Sequence, residues 1–195
     1  GITFLFAPGW HPALKSLAPL RKCLGVRTVF NLLGPLVNPL QPDAQVLGVA
    51  TEDLLEPMAG ALQLLGLKRA VVVYGHGGLD EASLSGTNQL MVLEDGQLRR
   101  DQLDPQTLGL ALQPIDALSG GDLARNQTIL KAVLQGQGSQ AQMDVVALNT
   151  ALVLWSAGQV SSWREGVQQA HDCLASGKPW QRFEQLAAAL TPVGG

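Results

Sequence analysis

The segment best equipped for chemistry is Gly75-His76-Gly77-Gly78-Leu79-Asp80-Glu81-Ala82-Ser83, which follows the apolar run ending at Tyr74. Its glycines allow a backbone to approach a ligand closely. Asp80 and Glu81 are adjacent hard oxygen donors, the ligand type Mg²⁺ takes when it also holds substrate phosphates. An acidic pair on a solvated turn fits the same residues, and spacing alone leaves both readings open. His76 is a base or ligand by type, although a lone loop histidine is more often neither. Gly120-Gly121-Asp122 at a helix start has free N–H groups for an anion, but an aspartate there caps the same donors. His171 and the four tryptophans read as structural residues. The sequence holds no GxGxxG, GxxxxGK[ST] or HExxH pattern and no identifiable Ser/His/Asp set.

The elements that must position this loop read as α/β. Residues 44–50 form a strand, Thr51 offers an N-cap, and Leu54, Leu55, Met58, Ala61, Leu62 and Leu65 recur at helical spacing. Pro57 suits only a first turn. Residues 69–75 are nearly all apolar, as in a strand buried on both faces. Strand, helix and strand in so short a span make a βαβ unit with parallel strands and a right-handed crossover. In open α/β sheets ligands bind beyond the carboxyl ends of such strands, where the 75–83 loop lies.

Residues 87–100 read as a hairpin turning at Asp95-Gly96. Helices follow over Asp122–Leu134, Met143–Trp155 (apolar nearly all round), Ser162–Ala175 and Pro179–Leu190. Upstream, His11–Leu24 reads as a helix interrupted at Pro19, and 26–34 is apolar enough for strand or buried helix. The expected fold is one α/β domain over 1–195, a mixed, largely parallel sheet flanked by helices.

Net charge is −3 and only 15% of residues are charged, which gives no electrostatic footprint for nucleic acid or an anionic membrane. No apolar run is long enough to span a bilayer. Cys23 and Cys173 form no CxxC pattern and read as free thiols, as suits a cytoplasmic protein. The low charge implies a large interior or a surface that rests on something else. The apolar, uncapped opening Ile2, Phe4, Leu5, Phe6 reads as a cut through a folded protein.

Residues 4–39, FLFAPGWHPALKSLAPLRKCLGVRTVFNLLGPLVNP, with VVVYGHGGLDEAS at 71–83, closely resemble anthranilate phosphoribosyltransferases. Weaker similarity runs on through PQTLGL, LSGGDLARN, VVALNTALVLW and SWREGVQQAHDCLASGK, so that it covers essentially the whole chain. The resemblance implies the family's large-domain fold, shared with nucleoside phosphorylases. It also implies transfer of a phosphoribosyl group from phosphoribosyl diphosphate to anthranilate, a step of tryptophan biosynthesis, in a cytoplasmic homodimer helped by Mg²⁺. By position it makes Arg21 the grip on the anthranilate carboxylate, His11 and Pro35 lining of the anthranilate channel, and Asp80 and Glu81 the Mg²⁺ pair. Trp10 stands where many relatives carry a polar residue.

The family's GTGGD, NxST and KHGN segments are absent from this sequence. The chain alone is therefore expected to be inactive, and turnover by the isolated chain would refute that. Two other readings are a non-catalytic relative binding nucleic acid or a partner, and a pyrimidine-nucleoside phosphorylase. The first should be basic and lack Arg21 or the acidic pair, and the second lacks RTxFNLLGPLxNP.

Overall fold

The structure, a computed structural model, describes residues 2–5 and 30–190, with the side chains of Phe30 and Asn31 left out. Contacts group the chain into two compact units, Gly1–Pro42 and Asp43–Gly195. His11 and Arg21, the helix expected over His11–Leu24 and Cys23 lie outside the described residues.

In the first unit α1 (Phe30–Leu33) runs directly into a 3-10 turn over Gly34–Leu36. This part of the ambiguous 26–34 run is therefore helical. Pro35 sits in the first turn of that 3-10 segment, where its missing N–H costs nothing.

The second unit is built on a sheet of four strands among the described residues, β1 (Ala44–Gly48), β2 (Arg69–Tyr74), β3 (Asn88–Glu94) and β4 (Gln97–Leu103), in the order β1-β2-β3-β4. β1 and β2 are parallel, as the βαβ reading requires. The sheet is mixed as expected, but parallel pairing among these strands is confined to β1–β2, since β2–β3 and β3–β4 are antiparallel. The tight turn of the hairpin dictates the β3–β4 pairing. Asp95 (φ 48) and Gly96 (φ 77) are both left-handed, the geometry whose twist matches paired strands.

Between β1 and β2, α2 (Leu55–Leu64) buries Leu55, Met58, Ala59 and Leu62. Thr51 makes no side-chain cap; a 3-10 turn over Glu52–Leu54 precedes the helix. Pro57 thus falls in the first turn of α2, where no helical N–H is lost. α2 packs on β2 and β3. α3 (Leu123–Leu134), α4 (Gln140–Ser156), α5 (Trp163–Ala175) and α6 (Lys178–Leu190) follow.

α4 begins three residues before the expected Met143, because Ser139 and Gln142 form a reciprocal capping box (3.3 and 3.1 Å). Its Ala147, Leu148, Ala151, Leu152 and Trp155 join Val71, Val73, Leu90 and Val92 of the sheet in the main core. Gly166 of α5 lies so close to α4 that a Cβ there would stand 2.8 Å from the Ala151 Cα. The buried Asp144 of α4 accepts from Gln140 (2.7 Å) and pairs with His171 of α5 (3.2 Å), so His171 is structural. Trp155 and Trp163 meet at 4.8 Å between ring centres, and Arg69 lies over Trp155 at 4.1 Å. No helix among the described residues is long and apolar enough to cross a membrane.

Candidate functional site

The loop between β2 and β3 leaves the sheet at the carboxyl ends of β1 and β2, and its path follows from its glycines. Gly75 donates to Leu79 O (2.8 Å) and accepts from Gly78 N (3.0 Å), closing a tight turn. Gly77 and Gly78 hold φ of 85° and 86° there, left-handed values that glycine adopts without strain. The turn folds the chain back so that Asp80 passes over the end of β1. A Cβ on Gly48 would lie 1.5 Å from the Asp80 carbonyl oxygen, and one on Gly75 would lie 2.0 Å from that of Glu81. Both strand ends must therefore be glycine for the acidic pair to sit where it does.

Asparagines hold the far side of the loop. Asn88, fully buried at the start of β3, accepts through Oδ1 from the N–H groups of Ser83 (2.7 Å) and His76 (3.1 Å). Its Nδ2 donates to the carbonyls of Ser83 (3.0 Å), Leu103 (3.0 Å) and Gly86 (3.3 Å). The amide orientation is unambiguous, because one end faces only donors and the other only acceptors. Asn149 of α4 accepts from Ala82 N (2.9 Å) and donates to Ala82 O (2.8 Å) and Val145 O (3.0 Å).

His76 Nδ1 lies 2.9 Å from Ser85 Oγ, which is 2.8 Å from the buried Ser83 Oγ. Ser85 Oγ also donates to the His76 carbonyl (3.2 Å). The imidazole, the two serine hydroxyls and the His76 carbonyl therefore form one hydrogen-bonded cluster. Gly86 lies flat on the ring: a Cβ there would be 2.7 Å from it. His76 is thus tied into the loop it begins.

Held this way, the Asp80 and Glu81 side chains are exposed, and neither carboxylate has a hydrogen bond or ion pair among the described residues. No third His, Cys, Asp or Glu joins them in a metal-sized cluster among those residues. Two free carboxylates on a braced loop suit an ion that keeps water and substrate phosphates as its other ligands, the coordination Mg²⁺ prefers. They do not suit a metal that needs a closed cage of protein ligands.

Asp122 accepts from Arg125 N (2.8 Å), so it caps α3 as expected. Sequence reasoning singled out the acidic pair and the glycines of the loop, but not Gly48, Asn88, Asn149 or the Ser83–Ser85 pair. One signal for Asn149 was present: it is a polar residue in a helix otherwise apolar nearly all round.

Residues 1–180 match the family model described as the glycosyl transferase family, a/b domain. Over the full chain it is 99% identical to the anthranilate phosphoribosyltransferase of Synechococcus sp. (strain RCC307), of which it covers 57%. The crystal structure of the anthranilate phosphoribosyltransferase from Thermus thermophilus is similar with a TM-score of 0.89 at 43% identity, over 95% of this chain and 54% of that one. The Saccharomyces cerevisiae enzyme, solved in complex with phosphoribosyl diphosphate and Mg, gives a TM-score of 0.82 at 30% identity over 90% of this chain and 51% of that one. The chain thus spans a little over half the length of the relatives it matches.

Proposed function

The chain belongs to the glycosyl transferase family, a/b domain, and we propose that the protein carrying it is an anthranilate phosphoribosyltransferase using phosphoribosyl diphosphate and Mg²⁺. The observation that carries the reading is the braced β2–β3 loop presenting two unengaged carboxylates at the carboxyl ends of β1 and β2. It is supported by the likeness to a relative solved with phosphoribosyl diphosphate and Mg.

In this reading Asp80 and Glu81 hold the Mg²⁺, which when bound neutralises charge on the diphosphate. The Arg21 guanidinium takes the anthranilate carboxylate in a bidentate, charge-assisted pair, while His11 and Pro35 line the channel beside it. The amine lone pair attacks C1 of the ribose, the C1–O bond breaks, pyrophosphate departs with the bonding electrons, and the nitrogen releases its proton to solvent water. An aromatic amine is nucleophilic when neutral, so no general base is required in this segment. The rate gain comes from fixed positions and fixed charge. The same reading makes the enzyme a cytoplasmic homodimer.

The test is consumption of anthranilate, followed by its fluorescence, in the protein carrying this chain with phosphoribosyl diphosphate and Mg²⁺. Asp80→Asn and Glu81→Gln should each raise the Mg²⁺ needed for half-maximal rate by about tenfold or more, the scale for weakening a metal site. Arg21→Ala should raise the KM for anthranilate instead. No consumption, or an unchanged Mg²⁺ requirement in both acidic-pair variants, refutes the reading.

A further inference from the structure

We infer that Asn149, on α4 and remote in sequence from the loop, is a positioning residue for the acidic pair. The inference rests on the metal-binding reading of Asp80 and Glu81 and deepens it. It starts from what fixes the two peptide groups flanking Glu81. The peptide between Asp80 and Glu81 turns its carbonyl onto Gly48, and the peptide between Glu81 and Ala82 turns its carbonyl onto Gly75. Those contacts are steric. They set how near the loop comes to the strand ends, and they prevent it from coming closer, but they do not hold it there.

Beside the bonds of the Gly75 turn and those of Asn88 to Ser83, the attraction nearest the pair comes from Asn149. Its Oδ1 takes the Ala82 N–H at 2.9 Å, so it grips the peptide that Glu81 itself begins, and its Nδ2 takes the Ala82 carbonyl at 2.8 Å. Both ends of one amide engage Ala82, the residue immediately after the pair, and Nδ2 also donates to Val145 O (3.0 Å) of its own helix. The neighbours Ala147, Leu148, Ala151 and Leu152 are all buried core, so the helix carrying Asn149 cannot swing without disturbing the sheet packing. Among the described residues no third His, Cys, Asp or Glu joins the pair, so its placement rests on the loop, and a displacement of about 1 Å is enough to impair such a site.

The experiment uses the full-length protein and two variants, Asn149→Ala and Asn149→Asp. The second keeps the acceptor for Ala82 N–H, and serves if the first does not fold. Free Mn²⁺ is titrated by electron paramagnetic resonance with phosphoribosyl diphosphate present, alongside the Mg²⁺ requirement for activity, the KM for anthranilate and the melting temperature. Half-saturating Mn²⁺ is expected to rise about tenfold, the scale for losing a partner behind a metal ligand, with the KM for anthranilate nearly unchanged. In an Asp80→Asn, Glu81→Gln background, Asn149→Ala should add nothing to the metal requirement, as coupled residues do.

An unchanged Mn²⁺ requirement in a folded variant overturns the inference, and so does an equal rise in the KM for anthranilate. An increment that persists in the double-substituted background overturns it as well. If the double substitution alone leaves the metal requirement unchanged, it is the metal reading that fails.

Discussion

Replacing Asn88 by alanine isolates the bracing of the loop from its chemistry. Three of its hydrogen bonds, to Ser83 N, Ser83 O and Leu103 O, join groups that are themselves buried. A buried polar group left without a partner costs about 1–3 kcal/mol. Even at the low end the three together come to about 3 kcal/mol, before the contacts to His76 N and Gly86 O are counted. For a chain of this size each kcal/mol lowers the melting temperature by about 2–4 °C, so Asn88→Ala should melt about 6–12 °C below the parent. Differential scanning calorimetry at neutral pH reads the shift directly.

Asn88→Asp sharpens the test. It keeps an acceptor for the two N–H groups but turns a carboxylate oxygen toward three carbonyls in a fully buried position. It should be at least as unstable as the alanine variant at neutral pH. It should recover in part as acid protonates the carboxyl and restores one donor. A drop below about 2 °C for Asn88→Ala, or an aspartate variant more stable than the alanine one at neutral pH, would show that water satisfies these groups and that the bracing argument is wrong.

Gly48→Ala should cost about 1–3 kcal/mol and raise the Mg²⁺ requirement, because its Cβ, 1.5 Å from the Asp80 carbonyl oxygen, must push the acidic pair outward. A melting curve and a Mg²⁺ titration check both effects, and a change in neither refutes the close approach. Glu165 concerns pH: bonds from Ser161 N–H and Ser161 Oγ hold its carboxyl below the ordinary carboxylate range. A lowered folded value means that its stabilisation is present above the unfolded value and is lost as pH falls through the folded one. Glu165→Gln should therefore melt lower than the parent near neutrality, and the two curves should converge in acid. A gap that stays constant with pH would exclude the carboxylate as its source.

The elements that depend on local chemistry were legible in the sequence. Asp95-Gly96 demands a left-handed pair and so a hairpin, the run at 70–73 can be covered only on both faces, and Pro57 can lie only in a first turn. The start of α4 was misplaced because apolar periodicity begins at Met143, whereas the helix is set by the Ser139–Gln142 capping box. Among the described residues the antiparallel pairing of β3 and β4 lay beyond what one βαβ unit specifies, because such a unit says nothing about the strands that follow it. At the site, the acidic pair was legible as chemistry, while its supports were not. Gly48, Asn88 and Asn149 act on backbone groups distant in sequence, and a contact to a peptide group leaves no side-chain signature at the other end. Pro35 is a described 3-10 residue whose channel role remains a proposal, like those of His11 and Arg21.

The tryptophan pair has a consequence for how the molecule can be watched. Trp155 and Trp163 sit on different helices with ring centres 4.8 Å apart and planes at 50°, near enough for their excited states to couple. Such a pair gives a paired positive and negative band in ultraviolet circular dichroism that neither indole gives alone. The band disappears when α5 lifts from α4, even if both helices stay wound. Because α4 also carries Asn149, the same optical signal reports on the scaffold behind the loop, with no label attached.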